Sequence, residues 1–248
     1  MALYALGDLH LSYQSKIKSV AQRESRLWQG HEERFRENCR AVMTDEDTLI
    51  LLGDHSWGQK LSSCEKDLEY IESLPGRKVL LRGNHDHFWD VKKTAQLNDL
   101  YKGKLFFLQN NYAAYQDYAL VGTKGYCFEG PFYMTSGGQI LGYDEQEYAH
   151  AQQLVERETE RLQLSFDAAL RDGYQKFIML LHYPPTNIME KNSAFTKMAE
   201  RYHVEQVIYA HCHGEERFHD SIRGKKRGIL YSLASGDCLR WKPMKVLG

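Results

Sequence analysis

The sequence predicts a mixed α/β fold, and three observations carry that prediction. Short apolar runs of strand length recur along the 248 residues, helical patterns separate several of them, and no linker or internal repeat divides the chain. A chain of this length buries a full core, so a single domain over residues 1–248 is the simplest account.

The first run is "ALYAL" (2–6). A helical pattern follows over 19–43, with Leu27, Trp28, His31, Phe35, Cys39 and Val42 on one face at period 3.6 and Ser19 with Gln22 resembling a capping box. Then come "TLILL" (48–52), "KVLLR" (78–82), "LFFL" (105–108) and "YALVG" (118–122). All are rich in β-branched or long apolar types and bounded by Gly or polar residues, as strands are. The pair 105–108 and 118–122 reads as a hairpin, and the Gly- and aromatic-rich stretch 123–143 as a long loop. A second long helix is predicted over 145–172, with Asp144 and Glu147 at its start and Gly173 at C′. Three further strands follow: "FIMLLH" (177–182), "QVIYA" (206–210) and "GILYSL" (228–233).

Composition narrows the function classes. Thirty-two basic against 33 acidic residues leave a net charge of −1, so the sequence carries no strong nucleic-acid signal and no general attraction to anionic membrane. The short run Lys225, Lys226, Arg227 reads as a solvated turn. The N-terminus has no cationic leader region, and no apolar stretch reaches the ~18 residues of a spanning helix. Five cysteines without a C-x-x-C pair read as reduced thiols. The expectation is a soluble, cytoplasmic protein with no membrane partner.

The chemistry sits where the strands end. The first ends in "GDLH" (Asp8, His10), the second in "GD" (Asp54), and the third in "GNHD" (Asn84, His85, Asp86). Later strands end at His182 and in "AHCHG" (His211, His213). In a mostly parallel sheet such ends share the edge where α/β proteins bind ligands. Residues two apart in extended chain point the same way, which pairs Asp8 with His10 and His211 with His213. Glycines at 7, 53 and 83 permit sharp turns and close backbone approach. Carboxylate, amide and imidazole donors without thiolates suit Mn, Fe, Zn, Co or Ni. Seven such ligands exceed one tetrahedral ion and match two ions sharing a carboxylate. Such a pair clamps a phosphoryl group and lowers the pKa of a bound water.

These motifs, in this order from residue 7 to 214, resemble those of the calcineurin-like metallophosphoesterases. The resemblance implies a four-layer αββα sandwich with a dinuclear site of divalent or trivalent ions, manganese first among them. It implies Asp8, His10, Asp54 and His213 on one ion, and Asp54 (bridging), Asn84, His182 and His211 on the other. His85 would then assist the leaving oxygen, with Asp86 orienting its ring, while a metal-activated hydroxide attacks phosphorus in line. Ala210 departs from the Gly that usually precedes the family's H-x-H. "GDHSWG" lacks the D-R-G of the protein Ser/Thr phosphatases, and Asp86 replaces their Glu. Both differences point to the bacterial-type predicted phosphohydrolases, with a small phosphate ester, diester or nucleotide as substrate. The alternatives are a nuclease of the same fold and a catalytically silent metal-binding scaffold. His55 reads as structural or as a support behind the ligands, Cys212 as a small buried thiol facing away from the ions, and Trp57, Phe88 and Trp89 as packing under the loops.

Overall fold

Each apolar run becomes a strand because both of its faces find cover. In this computed structural model, which describes residues 1–17, 25–190 and 192–248, one sheet contains β1 (Leu3–Leu6), β2 (Thr48–Leu51), β3 (Arg77–Leu81) and β4 (Leu105–Leu108), all parallel. Strand β13 (Met244–Leu247) returns antiparallel beside β1, giving the order β13-β1-β2-β3-β4. The second sheet contains β5 (Tyr112–Tyr115), β6 (Tyr118–Thr123), β9 (Lys176–Leu181), β10 (Gln206–Tyr209), β11 (Gly224–Lys226) and β12 (Ile229–Leu233). Its order is β11-β12-β10-β9-β6-β5, parallel except at the two edges. Strands β7 (Phe132–Met134) and β8 (Ile140–Tyr143) form a separate antiparallel ribbon.

The alternation of side chains assigns the layers. Ala5, Ile50, Leu52, Val79 and Leu81 face Leu120, Ile178, Leu180 and Ile208 between the sheets. Their neighbours Leu6, Leu49, Leu51 and Leu80 point outward. There they meet Phe35 and Cys39 of α1 (His31–Val42), Leu68 and Ile71 of α2 (Glu65–Glu72), and Leu97 of α3 (Thr94–Leu100). On the far side Val121, Met179, Leu181 and Val207 pack under α4 (Glu145–Arg171) and α5 (Ala194–Arg201) through Leu162, Phe166, Phe195 and Met198. The result is the αββα sandwich, and it explains why the strands are apolar on both faces rather than alternating with polar residues. A last short helix, α6 (Glu215–Asp220), follows the second histidine pair.

Several boundaries differ from expectation. The first helix runs only from His31, with Leu27 and Trp28 in the turn before it, and the expected cap at Ser19 and Gln22 lies outside the described residues. Strands β4 and β6 are not a hairpin, for they lie in different sheets. The hairpin partner of β6 is β5, whose "YAAY" is too weakly apolar to stand out. The stretch 123–143 contains the β7–β8 ribbon. Helix α4 begins at the expected Asp144, which accepts a hydrogen bond from Glu147 N at 2.8 Å, and stops before Gly173 at φ 88°.

A candidate dinuclear metal centre at the sheet edge

The C-terminal ends of β1, β2, β3, β9 and β10 converge where the two sheets meet. Gly7 N donates to Ala234 O at 2.7 Å, and Gly236 N donates back to Gly7 O at 3.0 Å, joining the end of β1 to the chain after β12. A Cβ on Gly7 would stand 2.5 Å from that of Ala210, so the close crossing requires glycine. Ala210 itself does not take a positive φ, which accommodates its departure from the family pattern. The loops after β1 and β2 run side by side, with Asp8 N on Gly53 O at 3.0 Å and His10 N on Asp54 O at 2.8 Å.

Asp8, His10, Asp54 and His211 all adopt positive φ, at 65°, 45°, 53° and 68°. This corrects the extended-strand reasoning. The strands have already ended, and left-handed turns aim the side chains instead. Consequently His211 and His213 do not point the same way. One set of donor atoms contains Asp8, His10 and His213, and a second contains Asp54, His182 and His211, each within 4.8 Å.

Three histidines have one ring nitrogen held by an acceptor, which fixes where the proton sits. His182 Nδ1 donates to Leu52 O at 2.8 Å, leaving Nε2 facing Asn84 Oδ1 at 2.7 Å and His211 Nδ1 at 3.2 Å. His211 Nε2 meets Glu129 Oε2 at 3.2 Å, and His213 Nδ1 meets Asp237 Oδ1 at 3.2 Å. His213 Nε2 then faces His10 Nε2 at 3.4 Å. Asp54 Oδ1 accepts from His85 N at 2.8 Å, while Oδ2 lies 3.4 Å from His182 Nε2 and 3.6 Å from His10 Nε2. Asp8 Oδ2 accepts from His211 N at 2.9 Å, but its buried Oδ1 has no hydrogen-bond donor among the described residues. Acceptors converging on one another, with a buried carboxylate oxygen left over, fit cations better than any internal arrangement.

A family model described as calcineurin-like phosphoesterase matches residues 1–215. The chain belongs to that family. An uncharacterized protein of Methanocaldococcus jannaschii is 28% identical over 109 residues, 44% of this chain and 58% of that protein, so the match spans little more than half the relative. Among solved structures, a phosphopantetheinyl hydrolase from Mycobacterium tuberculosis superposes with a TM-score of 0.55 at 13% identity, over 99% of this chain and 95% of that one. A protein of unknown function from Aquifex aeolicus covers 98% and 95% with a TM-score of 0.45 at 18% identity.

Burial and the neighbouring carboxylates shift the imidazoles of this site in opposite directions. Burial works against a charged His182, yet Asp54 and Asp8 outweigh it and hold the ring up to about 9. His213 is likewise held to about 9, burial notwithstanding, by Asp8 and Asp237. Burial dominates at His10, which falls well below its ordinary value.

Asp86 occupies a different place from the one expected. Its carboxylate accepts from the backbone amides of Gly83 (2.7 Å), Asp54 (2.9 Å) and His55 (2.8 Å) rather than from the His85 ring. It clamps the loops after β2 and β3 together. His85 instead packs its ring on Trp57, centroids 4.3 Å apart, and 5.6 Å from His10. His55 Nε2 donates to Leu81 O (2.9 Å) in full burial, a structural role. Phe88 and Trp89 are core residues, and Trp89 Nε1 donates to Thr94 Oγ1 at 2.9 Å. Trp57, by contrast, stacks on His10 at 4.9 Å and belongs to the site.

Glu129, Asp237 and Trp28 were not singled out from sequence. Asp237 had a signal: "SGD" (235–237) repeats the Gly-Asp that ends β1 and β2. Glu129 sits in a loop with none. Trp28, 5.3 Å from the His213 ring, looked like one more apolar position of a helix face.

Proposed function

We propose that this chain is a metal-dependent phosphoester hydrolase with two cations at the sheet edge, acting on a small phosphate ester or nucleotide rather than a phosphoprotein. Asp8, His10, Asp54 and His213 would hold one ion, and Asp54, Asn84, His182 and His211 the other. The observation that carries the reading is Asp54 Oδ2, placed between His10 of one donor set and His182 of the other. Bound there, the pair supplies Lewis-acid polarisation of phosphoryl oxygens and a lowered pKa for water. Mixed oxygen and imidazole donors suit manganese, iron, zinc, nickel or cobalt, and manganese is our first choice.

The protein's own share is positional. Leu52 O, Glu129 and Asp237 keep protons on the outward nitrogens of His182, His211 and His213, so that the inward ones remain available. Asp86 fixes the amides of both loops. His85, at the margin beside Trp57, would hold a proton near the leaving oxygen. Four buried cysteines and one half-buried, all unpaired, support a cytoplasmic setting.

The test is metal exchange followed by parallel assays on p-nitrophenyl phosphate and bis-p-nitrophenyl phosphate, with Asp54→Ala as the control. Turnover that requires metal and is lost by a factor of about 10³ or more in the variant supports the reading. Two bound ions with no turnover of either ester would leave a scaffold instead.

A further inference from the structure

A cavity of about 250 Å³ opens beside the second donor set, and no ligand contact described so far uses it. Its walls are the segments that leave the metal-binding strands. Cys212 lies between His211 and His213 in the chain, Pro184 follows His182 by two residues, and Glu129 hydrogen-bonds His211 itself. Phe128, Phe132, Met134 and Ile188 make the lining mainly apolar. Its two opposed charged walls, Glu129 and Arg217, form an ion pair with each other, and Asp220 sits at the exposed rim. An incoming group therefore meets mainly carbon surface, with a charge pair already satisfied and the polar side chains of Thr186, Asn187 and Ser221 among the lining.

We propose that this cavity seats the organic part of the phosphoester, an uncharged and largely apolar group the size of one ring or a short chain. At about 30 Å³ per water-sized atom the space takes roughly eight heavy atoms. Glu129 joins this space to the second donor set, since it lines the cavity and meets His211 Nε2 at 3.2 Å. A second phosphate would face mostly the carbon of Phe128, Phe132 and Ile188 and the carboxylates of Glu129 and Asp220, which disfavour an anion. The proposal rests on the phosphoesterase reading and narrows its substrate.

Non-hydrolysable phosphonates separate the two claims. Calorimetric titration of the manganese-loaded protein should show phenylphosphonate binding about tenfold or more tightly than methylphosphonate. Ile188→Asp and Met134→Asp change side chains that are 48% and 49% exposed, so the fold should survive, as thermal melting would check. In both variants the preference should shrink to about twofold, with methylphosphonate affinity unchanged. Equal binding of both phosphonates to the wild type overturns the cavity assignment and leaves the hydrolase intact. A phenyl preference that survives in both variants places the ring elsewhere and overturns it too. Binding of neither phosphonate removes the hydrolase reading, and the cavity assignment with it.

Discussion

At the scale of single residues, the site depends on what stands behind the ligands as much as on the ligands. Asp237 is buried and accepts from His213 Nδ1 and from Gly214 N, both at 3.2 Å. Asp237→Asn keeps the shape but weakens the hold on the imidazole tautomer, so metal affinity at the first ion should fall about 10- to 100-fold. Competition titration against a chromophoric chelator reads this directly, and a melting temperature in the metal-free protein within about 2 °C of wild type shows the fold intact. Gly83 answers to a harsher constraint, because a Cβ there would collide with the Asp54 carboxylate and amide. Gly83→Ala should therefore displace Asp54 and cut bound metal from two ions per chain towards one or none, measurable by elemental analysis. The candidate ligands were legible because they follow strands as Gly-Asp, Gly-Asn-His and His-x-His. Their geometry was not, because left-handed φ at Asp8, His10, Asp54 and His211 breaks the alternation a strand would impose. The role of Asp86 was misjudged for a related reason: adjacency to His85 suggested a partner, whereas the turn directs the carboxylate back onto amides.

At the scale of elements, strands covered on both faces left the clearest trace. Every continuous apolar run is a strand, with ends within about two residues of those expected. The elements that escaped are short or solvated: β5, β11 and β13 at sheet edges, the β7–β8 ribbon, and helices α2, α3, α5 and α6 of eight residues or fewer. An edge strand needs only one apolar face, and a two-turn helix shows too little periodicity to read. Lys225 and Lys226 illustrate this, since the expected solvated turn is the exposed edge strand β11, where lysines discourage pairing with other chains. The long helix α4 is anchored differently, with Phe166 fully buried and stacked on Tyr202 at 4.1 Å. Phe166→Ala should cost about 3–5 kcal/mol by urea denaturation while the isolated metal sites keep their affinity.

At the scale of the whole molecule, the proposed metal centre lies where the ends of the two sheets meet. The two candidate donor sets follow β1 and β2 of one sheet and β9 and β10 of the other. Cations bound there stabilise the pairing of the halves by mass action, about 2.7 kcal/mol for a free metal concentration a hundredfold above its dissociation constant. Removing metal with a chelator should accordingly lower the melting temperature by roughly 5–10 °C, and Asp54→Ala should abolish the difference. No helix among the described residues is long and apolar enough to cross a membrane, which matches the sequence. The sandwich itself was implied only by family resemblance, since apolar runs say that strands are buried but not how many sheets they make. One topological detail bears on how such a chain is made. Strand β1 gains its antiparallel neighbour only when Met244–Leu247 arrives, although β2 can pair with it some two hundred residues earlier. During synthesis on a ribosome, then, the first sheet waits with one flank of unpaired amides and carbonyls until Met244–Leu247 has emerged. That interval is when a nascent copy is most open to chaperones, and to other nascent copies.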